Sequence, residues 1–266
     1  MLHYMVDAYD TIQDQTNSMR SVNECLVTVA ENLKLRPVMP PFLLPYYYSE
    51  NYEDGGISAF MFFEGGHITI HTFPLRACYF VDVLSNDFFS AKKAEELILG
   101  AFSAKEVHPI TVDRRLVDSL PEARPDTNAD FGPHYMIQVD DVDLTFEGIY
   151  QWLDQLPPRI NMEAITRPYV IYSTIQDPAY ISGIILVAQS HIAVHYDIKA
   201  RQAYIDIFSC SFLKEEQINQ VLEEAFHGKA KCKLIVRGSK HHYSIKNDEE
   251  RIHTFKTWQT NKAGSQ

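Results

Sequence analysis

Apolar residues in this chain alternate with polar ones in short runs, and twice in each half the alternation gives way to a helical stripe. The opening run MLHYMVDAYD reads as a strand. From Ser21 to Leu35 the apolar positions Val22, Leu26, Val29, Ala30 and Leu33 recur at helical spacing, and Ser21 with Glu24 has the spacing of a capping box. The stretch PVMPPFLLPYYYSENYEDGG has too many prolines for a long helix and predicts strand plus loop. Strands follow at Ile57–Glu64, His67–Phe73 and Ala77–Leu84, then a helix over Ser90–Phe102 and a strand near Val107–Val112. From His134 the order returns: strand 134–139, helix 145–156, strands near 168–174, 181–188, 191–196 and 202–208, helix 212–226 and strand 231–236.

The second half is a copy of the first. At a constant offset of 124, Ser58 answers to Ser182, Gly66 to Ser190, His67 to His191, His71 to His195, Asp82 to Asp206, Ser85 to Ser209 and Asn86 to Cys210. An earlier echo, HYMVDAYD at His3 and HYMIQVDD at His134, sits at an offset of 131. This is a duplicated supersecondary unit too long for a solenoid repeat. The boundaries expected are an N-terminal repeat over 1–117, a proline-containing polar linker over 118–133, a C-terminal repeat over 134–238 and a polar tail over 239–266. A β-α-β-β-β-α-β unit built mainly of hairpins gives an antiparallel sheet with helices on one face. Two such units bury their remaining faces against each other, so the predicted fold is α+β, a four-layer α-β-β-α sandwich with antiparallel sheets.

Composition narrows the function classes. An apolar content of 45% suits a globular protein with a real core. A net charge of −11 argues against a general nucleic-acid binder, which neutralises phosphates with Lys and Arg. No apolar run approaches the roughly 20 residues of a membrane span. Four cysteines without close pairing and no hydrophobic leader predict a reduced, cytoplasmic protein. Cys25, Cys78 and Cys232 read as structural thiols.

The copies differ where chemistry is possible. Copy two offers a hydroxyl and a thiol, Ser190 and Cys210, where copy one has Gly66 and Asn86. His67/His71 and His191/His195 have a metal-ligand spacing for a helix, but GHITIHTF alternates as a strand, which separates the pair by roughly 13 Å, so no metal site is expected there. His241 and His242 read as solvated. Ser190 and His195 are an odd number of residues apart in one strand and should face opposite sides.

The blocks SHIAVH and DIFSC, in that order and at that spacing, resemble the pyruvoyl-dependent S-adenosylmethionine decarboxylases, whose small prokaryotic members carry ESH-x-x-IH followed by D-x-FTCG. The resemblance covers most of both repeats. It implies a cofactor made from the chain: the hydroxyl of Ser190 attacks the carbonyl of Gln189, and elimination and hydrolysis leave a pyruvoyl group at residue 190. Its ketone forms a Schiff base with the amine of a small amino-acid substrate and serves as the electron sink for decarboxylation, after which an acid, Cys210 by resemblance, returns a proton to Cα. The assisting serine and histidine come from the other repeat and become Ser58 and His71. The aromatic that stacks on adenine becomes Tyr52. Gly66 has no hydroxyl, so one working site per chain is implied, in a monomeric pseudo-dimer or a homodimer.

Two positions depart from the family. The glutamate that binds ribose hydroxyls is Leu75 here, and Lys199 in the other copy, a loss worth about 2–4 kcal/mol of nucleoside recognition. The residue before the cleavable serine is Gln189 instead of glutamate. The leading expectation is therefore a self-processing decarboxylase of S-adenosylmethionine or a related amino acid in polyamine synthesis. A decarboxylase of ornithine or arginine and a non-catalytic regulatory relative stand as alternatives.

Overall fold

The alternating runs pair into two six-stranded sheets in a computed structural model that describes residues 1–46, 52–119, 132–174, 176–188, 190–209 and 213–238. The first half contributes β1 (Leu2–Tyr9), β2 (Phe42–Tyr46), β3 (Gly56–Phe63), β4 (Gly66–Phe73), β5 (Cys78–Ser85) and β6 (Glu106–Asp113). The second contributes β7 (Gly132–Val139), β8 (Tyr169–Tyr172), β9 (Tyr180–Val187), β10 (Ser190–Asp197), β11 (Gln202–Phe208) and β12 (Ala230–Arg237). The strand orders are β2-β3-β4-β5-β1-β6 and β8-β9-β10-β11-β7-β12, the same order in both, and every pairing is antiparallel. The helices are α1 (Gln13–Thr16), α2 (Met19–Asn32), α3 (Ala91–Ala101), α4 (Phe146–Arg159) and α5 (Glu215–Phe226).

Each sheet buries two faces. Helices α2 and α3 cover one face of the first sheet, packing Val22, Leu26, Val29 and Ile98 on Val6, Met61, Ile70 and Val81. Helices α4 and α5 do the same for the second, with Ile149, Leu153, Ile218 and Leu222 on Ile185, Ile192, Val194 and Ile205. The opposite faces meet: Phe60 and Phe62 pack on Ile184, Leu186 and Ala193, and Met5 packs on Met136. The result is the α-β-β-α sandwich that the repeat predicts, with four strands between the main helices of each repeat, one more than the β-α-β-β-β-α-β unit expected.

Local details correct the expectations. Helix α2 starts at Met19, and its cap is Ser18, whose Oγ accepts from the Ser21 amide at 3.2 Å. Ser21 and Glu24 do not form the expected box: Ser18 offers the same hydroxyl three residues earlier, and Glu24 pairs with Arg20 at 2.7 Å. Helix α4 runs past 156 through Pro157 and Pro158, which occupy its last turn. Helix α1 was not expected. Helix α5 begins at Glu215, three residues later than its pattern predicts. Most of the expected linker, residues 120–131, and the whole tail with His241 and His242 lie outside the described residues. Among the described residues, no helix is long and apolar enough to cross a membrane.

Candidate functional site

Strand parity sends one side of each sheet's central strands into the layer between the sheets, and beside its apolar clusters that layer holds many buried polar groups. His3, Asp7, His67, Thr69, His71, Asp82, Arg114, His134, His191, His195, Asp206 and Arg237 are all buried. The H-x-x-x-H pairs of β4 and β10 both face this layer, since residues four apart on a strand share a side.

The histidines join in two crossed chains. Ser58 Oγ lies 2.9 Å from His71 Nδ1, and His71 Nε2 lies 3.0 Å from His191 Nδ1. The second chain mirrors it: Ser182 Oγ is 2.8 Å from His195 Nδ1, and His195 Nε2 is 2.6 Å from His67 Nδ1. In each chain the serine–histidine link lies within one repeat and the histidine–histidine link crosses to the other, with the joined rings stacked at 12° and 21°. Both chains end on a buried Nε2, of His191 and of His67, without a hydrogen-bond partner among the described residues. Burial disfavours the charged imidazolium and holds His67 and His71 down to about 4 and His191 and His195 well below the usual histidine range. Neutral rings permit a directional chain, in which the Ser58 hydroxyl donates to His71 and the His71 Nε2–H donates to His191.

Two arginines buckle the repeats crosswise. Arg114, just past β6, donates to Asp206 on β11 and to the carbonyls of Ile137 and Ile205, both at 3.0 Å. Arg237, at the end of β12, donates to Asp82 on β5 and to Asp7 on β1, the latter at 2.6 Å. Burial pushes the carboxyls of Asp82 and Asp206 up, but the facing arginines and histidines outweigh it and hold both well below the usual range. His3, His134 and Asp206 bring three potential metal-ligand atoms within 4.8 Å of one another. Arg114 already supplies the positive charge to Asp206, so the trio needs no ion for charge balance.

The residues singled out in the sequence fall as follows. Ser58 and His71 face each other across the β3–β4 ladder. Ser190 opens β10 and is fully buried, one residue before His191. It pairs with Val187, whose side chain belongs to the cluster under α4 and α5, so Ser190 stands on the opposite side of its strand from His191 and His195. Ser58 and His71 therefore meet His191, the neighbour of Ser190. Ser190 Oγ donates to the Ala188 carbonyl at 3.3 Å. Gln189 and Cys210 lie outside the described residues, and for Tyr52 only the backbone is described, at the start of a 3₁₀ turn, Tyr52–Asp54. Leu75 is exposed at 39%. The histidine partners His191 and His67 and the two arginines were missed as site residues. The i, i+4 histidines on one strand face were the available signal for the first pair. Arg114 and Arg237 are separated by 123 residues, one out of register with the repeat, and so escaped it.

The family model described as S-adenosylmethionine decarboxylase matches residues 2–115 and 138–238, most of both repeats. The S-adenosylmethionine decarboxylase proenzyme of Pyrococcus abyssi is 28% identical over 134 residues, 48% of this chain and 90% of that protein. A crystal structure of the adenosylmethionine decarboxylase from Aquifex aeolicus aligns with 43% of this chain and 97% of its own, at 18% identity and a TM-score of 0.36. The P. abyssi match spans a little under half of the chain and most of that protein.

Proposed function

The chain belongs to the S-adenosylmethionine decarboxylase family, and from that premise we propose that it is a self-processing, pyruvoyl-dependent decarboxylase with one working site per chain. The observation that carries the reading is the hydrogen-bonded run Ser58–His71–His191, which ties the assisting pair of copy one to the strand that Ser190 opens. In this reading the chain is cut between Gln189 and Ser190, the two repeats 1–117 and 134–238 act as a fused pseudo-dimer, and the protein works in the cytoplasm on a small amino acid. The P. abyssi relative's description as a proenzyme supports the cleavage.

The residues present fit the group. Ser190 is buried, and its hydroxyl donates to the carbonyl of Ala188, two residues before it. When formed, a pyruvoyl group supplies the electron sink that no side chain offers. The chain's own residues would do the rest. Ser58 holds His71 by Nδ1, and His191 holds it by Nε2, so the ring is fixed at both nitrogens and neutral, and able to take a proton. Cys210 is the proposed donor of a proton to Cα, and Tyr52 the proposed stacking surface.

S-adenosylmethionine is the leading substrate. Leu75 offers no carboxylate for ribose hydroxyls, and Asp54, on the turn that Tyr52 opens, is engaged by Arg76 at 2.5 Å. That observation favours a second reading in which ornithine or arginine is decarboxylated. Release of labelled CO2 from carboxyl-labelled S-adenosylmethionine, ornithine, arginine and lysine separates the two readings. Release from none of the four, by protein shown to be folded, would leave the regulatory relative as the surviving account.

A further inference from the structure

The duplication makes two intersheet sites, and the second has been rebuilt. Its counterpart of the proposed active site would use Gly66 and Asn86 with Ser182 and His195. A serine cannot return at 66 without moving the backbone, because a Cβ there would lie 2.0 Å from the Leu84 carbonyl oxygen. Yet this side has not filled in. A cavity of about 410 Å³ opens there, with Asn86, Arg115, Tyr180, Asp197, Gln202 and Tyr204 in its walls.

The two copies have diverged in opposite directions at the same positions. Asp197, Gln202 and Tyr204 correspond by the 124-residue offset to Phe73, Cys78 and Phe80, which close into an apolar cluster with Tyr9 and Phe208. Here the walls are polar instead, and they are held in place. Asn86 Nδ2 donates to the Tyr180 hydroxyl at 2.5 Å, the Tyr204 hydroxyl donates to Gln202 Oε1 at 2.5 Å, and Gln202 Nε2 donates to Asp140 at 2.5 Å. Asparagine at the position of the catalytic-type thiol thus has a new task, orienting a phenol.

We infer that this cavity is a second binding site, for a small α-amino acid that is held and not reacted. Asp197, whose Oδ1 accepts from the Ala200 amide, offers its other carboxylate oxygen to an ammonium group; Arg115 pairs with Asp113 through Nε and Nη2 and has Nη1 left for a carboxylate, while the amides and phenols between them suit the polar atoms of a zwitterion. The volume lies in the range of small-molecule sites. The ligand class rests on the reading of the chain as an amino-acid decarboxylase. The site itself rests on the cavity and its ordered polar walls.

Equilibrium dialysis of the full chain against labelled S-adenosylmethionine, methionine, ornithine and arginine tests it, with and without cyanoborohydride to trap ligand covalently at residue 190. The expected result is one untrapped equivalent per chain for at least one probe, with Kd raised at least tenfold by Asp197→Asn and by Arg115→Ala, and with the trapped equivalent unchanged. No untrapped equivalent for any probe, or one that both substitutions leave within twofold, overturns the inference. Absence of the trapped equivalent alone counts against the pyruvoyl reading, and the response of untrapped binding to the two substitutions still decides this one.

Discussion

Replacing Arg114 by methionine tests whether the crosswise ion pairs hold the two sheets together. Arg114 is fully buried, and it donates to Asp206 and to two backbone carbonyls. Methionine fills much of the volume but leaves the Asp206 carboxylate buried with only two imidazoles beside it, His134 Nε2 at 3.1 Å and His3 Nδ1 at 3.7 Å. Removing one partner of a buried pair costs about 3–5 kcal/mol. With a urea m-value of about 3 kcal/mol/M, a loss of about 4 kcal/mol lowers the unfolding midpoint by about 1.3 M. The assay is urea unfolding followed by circular dichroism, in a Ser190→Ala background so that the chain stays in one piece. The sign of the pH dependence is part of the prediction. With Arg114 present, Asp206 is held below its unfolded value, so its contribution is full above an unfolded pKa of about 4 and falls away below it. Without Arg114, burial prevails and the carboxyl takes up a proton more readily in the folded state, so the penalty shrinks between pH 8 and pH 5. A loss under about 1 kcal/mol, or an equal loss at both pH values, would refute the reasoning.

Other outcomes follow from the same geometry. The intersheet histidines have folded pKa values below their unfolded value of about 6.5, His67 and His71 at about 4, so the unfolded chain binds more protons between those limits. Stability is therefore full above about pH 6.5, and each such group removes about 1.4 kcal/mol per pH unit as the pH falls toward 4; a flat stability profile from pH 7 to 4.5 contradicts this. Ser58→Ala and Ser182→Ala remove equivalent buried hydroxyls, and their melting temperatures should fall alike. Decarboxylation or self-cleavage should slow about 100-fold for Ser58→Ala only, the lower end of a general acid–base contribution, and equal slowing by both would dissolve the asymmetry between the copies. Gly66→Ser should destabilise by about 1–3 kcal/mol because its Cβ meets backbone, with no second cut; unchanged melting and a new cleavage at residue 66 are the contrary result.

Period-two alternation and the 124-residue echo were enough to read the strands, their order and the sandwich, because both record which side of each strand is buried. Boundaries slipped where a second residue could do the same job, as when Ser18 capped α2 in place of Ser21. Ser58 and His71 came together through the family resemblance, and the structure sets them opposite each other on adjacent strands of one repeat. The contact of His71 with His191 could not be read, because alternation says which face a side chain takes and nothing about how one sheet is laid on another. The same gap hid the reach of Arg114 to Asp206 and of Arg237 to Asp82, contacts made between sheets from strand ends.

The central claim is that residue 190 becomes a pyruvoyl group, and intact-mass analysis of purified protein tests it most directly. The account predicts two fragments, residues 1–189 and 190–266, the second beginning with a keto group in place of an amine and therefore blocked to N-terminal sequencing. Ser190→Ala should remain whole. A single species at 30.6 kDa after prolonged incubation of folded wild-type protein contradicts the account.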